Sequence, residues 1–130
     1  MANRASNTIL VVDDDPMVLE LVRAMLFSEG YGVLLADNGA KALQILQRPD
    51  TVIRLLLTDV MMPGMNGPEL VRQLRALRQD LPVLYMTGGS IEGVIPEDSQ
   101  FTLLRKPFDA FSLVRTVKKL MDAERQDSPR

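Results

Sequence analysis

The sequence predicts an α/β protein: a five-stranded parallel sheet, strand order 2-1-3-4-5, with helices on both faces. Three observations carry this reading. Short runs rich in Val, Ile and Leu alternate with amphipathic stretches along the chain. The strand–helix units recur about every 25 residues, a length that suits right-handed parallel crossovers. Runs such as Ile9–Val12 are apolar at every position rather than at every second one, as strands covered on both faces are.

The elements follow in order. Thr8–Val12 is the first strand. Asp15-Pro16 opens a helix, because Asp caps free N–H groups and Pro is tolerated in a first turn. Val18, Leu21, Val22, Met25 and Leu26 recur at three and four and predict its inward stripe, and Gly30 ends it. Gly32–Ala36 is the second strand, and Asn38-Gly39 turns into a short helix, Ala40–Gln47, that stops before Pro49. Val52–Thr58 is the third strand, with Arg54 near its entry, and Asp59–Pro68 is a loop rich in Met, Pro and Gly. Glu69–Leu77 is helical, with Leu70, Val71, Leu74 and Leu77 inward and Arg72, Arg75 and Arg78 outward. Pro82–Met86 and Thr102–Leu104 are the fourth and fifth strands. Between them Gly88, Gly89, Gly93 and Pro96 oppose a regular helix, so a helix there is expected to be short or irregular. Asp109 caps the last helix, whose stripe is Phe111, Val114, Val117 and Met121, with Leu113 and Leu120 beside it. Five strands in this order give the flavodoxin-like arrangement. The whole chain, 1–130, reads as one domain with its core at about 8–121, and 122–130 as a polar tail or linker stub.

Composition narrows the chemistry. The 130 residues are 46% hydrophobic and 25% charged, an ordinary globular balance with a core large enough to fold. A net charge of −2 makes a poor non-specific nucleic-acid binder, so no direct nucleic-acid partner is expected. No His and no Cys are present. That excludes disulfides, thiolate nucleophiles, ordinary zinc sites, Ser-His triads and a phosphohistidine of its own. Any metal must be a hard cation held by oxygen. No signal-peptide core follows the polar start, and no apolar run exceeds four residues, so a cytoplasmic protein with no membrane partner is expected.

In open α/β sheets ligands bind beyond the carboxyl ends of the strands. Asp13, Asp14 and Asp15 follow the first strand, Asp59 the third, Thr87 the fourth and Lys106 the fifth. The order 2-1-3-4-5 sends these residues to one cleft. Carboxylates crowded together raise one another's pKa, and a divalent cation and an ammonium both relieve this. Oxygen-only ligands suit Mg²⁺, and Lys106 supplies the ammonium. A carboxylate flanked by both can take a phosphoryl group in line, giving an aspartyl-phosphate, with Thr87 as a neutral donor to it. Each residue also has a plainer reading. Asp13–Asp15 can be a turn and cap, Asp59 and Thr87 turn residues, and Lys106 a solvated surface lysine. Their convergence argues for the site.

At these residues the sequence resembles the receiver domain of two-component response regulators, most of all the receivers of hybrid histidine kinases. The motifs are Ile9-Leu10-Val11-Val12-Asp13-Asp14-Asp15-Pro16, Leu57-Thr58-Asp59-Val60-Met61-Met62-Pro63-Gly64-Met65-Asn66-Gly67, Tyr85-Met86-Thr87-Gly88-Gly89 and Arg105-Lys106-Pro107-Phe108. The resemblance runs from about Thr8 to Met121. It implies that Asp59 is the phospho-acceptor, and that Asp14 and Asp59 ligate Mg²⁺ with the Met61 backbone carbonyl, Asp13 acting through water. Thr87 and Lys106 would contact the phosphoryl group, Gly88 would keep it accessible, and Lys106-Pro107 is often cis in this family.

The chain departs from the family at three places. Leu103 occupies a switch position that is often aromatic, and Phe101, two residues earlier, is not a substitute for it. Thr87 and Lys106 are closer in sequence than usual. Met61 and Gly89 cannot orient an attacking water, so slow hydrolysis is expected.

The resemblance further implies a phosphoryl-accepting switch of a phosphorelay rather than an enzyme. Its partner is a histidine kinase or a His-phosphotransfer protein, and the chain is a monomer or weak homodimer. Two other readings remain open: a haloacid-dehalogenase-type phosphatase with Asp13 as nucleophile, and a docking module that is never phosphorylated.

Overall fold

The computed structural model describes residues 7–96 and 100–127, the last four of these by their backbone alone. The elements are β1 (Thr8–Val12), α1 (Pro16–Phe27), β2 (Gly32–Ala36), α2 (Gly39–Leu46), β3 (Ile53–Asp59), α3 (Gly67–Leu77), β4 (Val83–Thr87), β5 (Thr102–Arg105) and α4 (Ala110–Asp127). The strands form one parallel sheet in the order β2-β1-β3-β4-β5, as the sequence predicts.

Side-chain parity divides the core into two layers, because successive residues of a strand face opposite sides. On β1, Ile9 and Val11 pack with α1 and α4 through Val22, Leu26, Leu113 and Val117. Leu10 and Val12 pack the other way, with Ala42 and Ile45 of α2 and Leu70 and Leu74 of α3. Ile9 to Val12 are fully buried, which is why the run is apolar throughout.

Local chemistry sets the helix starts. The Asp15 carboxylate accepts from Met17 N at 2.9 Å, Asn38 from Lys41 N at 2.8 Å and Asp109 from Ser112 N at 2.7 Å.

Several sequence expectations are corrected. α3 begins at Gly67 rather than Glu69, because Asn66 caps it through Glu69 N at 2.9 Å and Pro68 sits in the first turn. α1 is rotated relative to its expected stripe: Leu19 is buried and Leu21 is 56% exposed. In α4 the inward residues are Leu113, Val117 and Met121, which leaves Phe111 72% exposed. Leu77 also lies outward. Arg75 and Arg78 are only partly exposed, since their guanidinium groups reach the carbonyls of Leu81 and Ile53. β3 runs to Asp59 and β4 to Thr87, so both residues are the last rungs of their strands. The α4 backbone continues to Asp127, beyond residue 122, while 128–130 lie outside the described residues.

Between β4 and β5 the described residues hold one turn and no helix. The N–H groups of Val94 and Ile95 both reach Ile91 O, at 3.1 and 3.2 Å. Among the described residues no helix is long and apolar enough to cross a membrane.

Candidate functional site

Among the described residues the buried polar ones are Asp13, Thr58, Asp59 and Thr87, and all lie at the carboxyl ends of β1, β3 and β4. Neighbouring strands bring them to one edge. Asp59 pairs with Met86 in the β3–β4 ladder, one rung before Thr87. Thr87 O accepts from Lys106 N at 2.8 Å, which sets the lysine against the end of β4. The Lys106-Pro107 peptide bond is cis.

The Lys106 ammonium joins two carboxylates. Its Nζ donates to Asp13 Oδ2 at 2.7 Å and to Asp59 Oδ2 at 3.2 Å. Each carboxylate keeps its other oxygen on a backbone N–H. Asp13 Oδ1 accepts from Asp15 N at 2.9 Å, and Asp59 Oδ1 from Met61 N at 3.3 Å. Asp14 is exposed at the mouth, and the carboxylates of Asp13, Asp14 and Asp59 each offer an oxygen within 4.8 Å of the others.

Three carboxylates facing one ammonium leave the pocket electrically unbalanced. Burial raises the Asp59 pKa above the usual carboxylate value and the Asp13 charge adds to this. Lys106 and the Met61 N–H offset part of it. For Lys106, burial opposes the charged form, but the hydrogen bond and charge of Asp13, and then of Asp59, outweigh it and raise the pKa. A divalent cation fits this donor set. The ligands are hard oxygens, their spacing suits one ion, and the added charge cancels the excess.

Thr87 reaches the same edge but is turned aside. Its hydroxyl accepts from Gly89 N at 3.1 Å and donates to Gly89 O at 3.4 Å. Arg105, its partner across the ladder, donates to the same carbonyl at 3.3 Å. Sequence reasoning missed this tie. The β4–β5 pairing places Arg105 opposite Thr87, but the sequence alone does not aim its side chain. Gly88 lies open, with Lys106 Cβ 3.9 Å from where a Cβ would stand. Met61 is half exposed beside Asp59. Leu103 packs partly buried against the cluster of Val60, Tyr85 and Ile95, while Phe101 sits edge-on to Tyr85 at 6.2 Å.

The chain's likeness to known proteins agrees with this geometry. Residues 9–118 match the family model of the response regulator receiver domain. The chain is 35% identical over 126 residues to the sensor kinase CckA of Brucella abortus (strain 2308), covering 95% of this chain and 13% of that protein. It is 35% identical over 124 residues to the transcriptional regulatory protein GlrR of Escherichia coli (strain K12), covering 93% and 27%. It therefore spans less than a third of either curated relative. The crystal structure of a receiver domain from the hybrid histidine kinase CckA superposes with a TM-score of 0.75 at 33% identity, covering 88% of this chain and 98% of that one.

Proposed function

The chain belongs to the response regulator receiver family, and from that premise we propose that Asp59 accepts a phosphoryl group from the phosphohistidine of a histidine kinase or His-phosphotransfer protein. The observation that carries this reading is the bridging ammonium of Lys106, 3.2 Å from Asp59, beside a cluster of three carboxylates. An Asp59 oxygen attacks phosphorus in line. The new O–P bond forms as the P–N bond breaks, and the electron pair leaves on the donor imidazole. These 130 residues contain no His, so the donor imidazole lies outside them.

Asp14 and Asp59 would hold Mg²⁺ with the Met61 carbonyl, and Asp13 would act through water. When bound, the ion neutralises charge developing on the phosphoryl oxygens. Lys106 stays on the acceptor side and pairs with a phosphoryl oxygen as Asp59 loses its free charge. Thr87 exchanges its bonds to Gly89 for one to the phosphoryl group, and this drives the change at β4 and β5. Met61 and Gly89 bring no side-chain acid or base, so hydrolysis is slow. The receiver unit is residues 8–121.

Intact-protein mass under Mg²⁺ and acetyl phosphate tests the assignment. The mass should rise by one phosphoryl group, and Asp59→Asn should abolish the gain. Labelling that survives in that variant, or an acyl-phosphate mapped to Asp13, overturns it. Omitting Mg²⁺ should also suppress labelling.

A further inference from the structure

The loop 60–66 carries Met61 beside the acceptor, and its inward residues hold it from below. Gly67 N donates to Val60 O at 2.8 Å and closes the loop at its root, while Gly64, at φ +78°, turns it. Val60 and Met62 are buried, and Met61 between them is 53% exposed. Met62 and the partly buried Met65 join the core layer that also holds Ala42 and Ile45 of α2. Only the exposed Pro63 and Gly64 separate these two methionines. The loop therefore stands on two apolar footholds.

The second foothold is very close. Met65 lies against Gly39, the first residue of α2. A Cβ on Gly39 would stand 2.6 Å from Met65 Sδ, 3.1 Å from its Cγ and 3.0 Å from its Cβ. Non-bonded carbons pack at about 3.5–4.0 Å, so any larger residue would have to push the methionine away. Nothing else at this position calls for glycine. Its φ is outside the left-handed region, and glycine is a poor helix former. The Asn38 cap, accepting from Lys41 N at 2.8 Å, holds the first turn of α2 in place. An added Cβ would thus move the loop rather than the helix.

The seat bears on the site through Met61. Its N–H donates to Asp59 Oδ1 at 3.3 Å, at the long edge of such bonds, so a small displacement of the loop loses it. Its carbonyl is the third protein ligand proposed for Mg²⁺. We propose that Met65 and Gly39 are positioning residues of the metal site: the thioether seated on the first turn of α2 fixes the loop that carries Met61, and so sets the affinity for a divalent cation. The affinity claim rests on the proposed ligand set of Asp14, Asp59 and the Met61 carbonyl; the seat itself does not. Changing a group that orients a metal ligand typically costs about 10–100-fold in affinity. One of three protein ligands is at stake here, which puts the loss at the lower end, about tenfold. Linkage is reciprocal, so metal binding should also be felt at the first turn of α2.

The test is a titration of the full chain with MgCl₂ after EDTA treatment, followed by backbone amide shifts. In the wild type the amides of Asp14, Asp59 and Met61 should shift saturably, and those of Gly39 and Ala40 should follow the same curve. Met65→Ala empties the seat and Gly39→Ala crowds it, and each should weaken Mg²⁺ binding about tenfold. In the double variant the new methyl group takes space that the thioether leaves, so affinity should recover to within about threefold of wild type. Met65→Leu, which keeps the volume, should stay within about twofold. Ile45→Val, a core change in α2 outside the seat, should lower the urea midpoint without changing Mg²⁺ affinity, which separates positioning from lost stability.

Wild-type affinity in Met65→Ala, with only a lowered urea midpoint, makes the contact purely structural and overturns the proposal. So does a double variant as weak as the two single losses combined. If Gly39→Ala does not fold, Met65→Ala and Met65→Leu decide between the same two outcomes. Before any metal is added, the Met61 amide should differ between wild type and Met65→Ala; an unmoved amide overturns the seat even where Mg²⁺ binds as proposed. A wild type whose Asp14, Asp59 and Met61 amides ignore Mg²⁺ overturns the ligand set, and the affinity claim with it, while the metal-free comparison still judges the seat.

Discussion

Replacing Asp59 with Asn should stabilise the protein when no divalent ion is present, although Asp59 is central to the site. The magnitude follows from the geometry. Burial is the largest penalty on ionised Asp59. At an effective dielectric of about 20, repulsion from Asp13, at 4.8 Å or less, adds about 3.5 kcal/mol, and the attraction to Lys106 at 3.2 Å returns about 5 kcal/mol. The raised pKa means that burial and repulsion together outweigh that return, by an amount on the order of 1 kcal/mol. Asn keeps the shape and can still accept from Met61 N.

Urea denaturation at neutral pH in EDTA should show Asp59→Asn more stable by about 1 kcal/mol, and millimolar Mg²⁺ should narrow or reverse the gap. The pH dependence has a fixed sign. A carboxyl whose folded pKa is raised is destabilising only where it is ionised, so the gap should shrink as pH falls through that folded pKa. A less stable variant in EDTA, or a gap that ignores both Mg²⁺ and pH, would refute the charge argument.

Three further substitutions test neighbouring parts of the site. Lys106→Met leaves the carboxylate of Asp13, fully buried, with the Asp15 N–H as its one partner among the described residues. It should lose about 2–3 kcal/mol in EDTA, below the full cost of breaking a buried pair because Lys106 is partly exposed, and less in Mg²⁺; no loss would sink the bridge. In Gly67→Ala the new Cβ would collide with the backbone oxygen of Asp59, so a loss of at least about 2 kcal/mol and weakened phosphoryl labelling are expected, measured on the same samples. Asn66→Ala should cost about 1 kcal/mol through the lost α3 cap, read as a lower urea midpoint with labelling retained.

The sheet was legible because β1, β3 and β4 are buried strands whose composition leaves little choice, and topology then sends Asp13, Asp59 and Lys106 to one edge. The helix faces were less legible. Leu21 and Phe111 fit an apolar spacing yet face outward, because periodicity fixes a stripe and tertiary packing fixes its phase. The early start of α3 was in fact written in Asn66-Gly67-Pro68-Glu69, a cap residue with Glu three positions on. The reading of Asp59–Pro68 as one loop passed over it. The Arg105–Gly89 link carries no sequence signal, since it depends on where a side chain points after folding.

On the proposed reading Thr87 is the group that moves, and the energetic scale of its bonds suits that role. Its hydroxyl is satisfied at rest by two modest bonds to Gly89, and Arg105 adds a third hold on the same residue. Surrendering the two Thr87 bonds costs about 1 kcal/mol each, so the displaced state would lie about 2 kcal/mol above the resting one and be populated at the per cent level. A hydrogen bond to a charged acceptor returns about 1.5–3 kcal/mol. The two sums are matched. A weaker tie would leave the segment after β4 loose without a signal, and a stronger one would resist the phosphoryl group. The glycines at 88 and 89 suit the position for the same reason, since neither has a side chain whose packing would have to be broken when the hydroxyl turns.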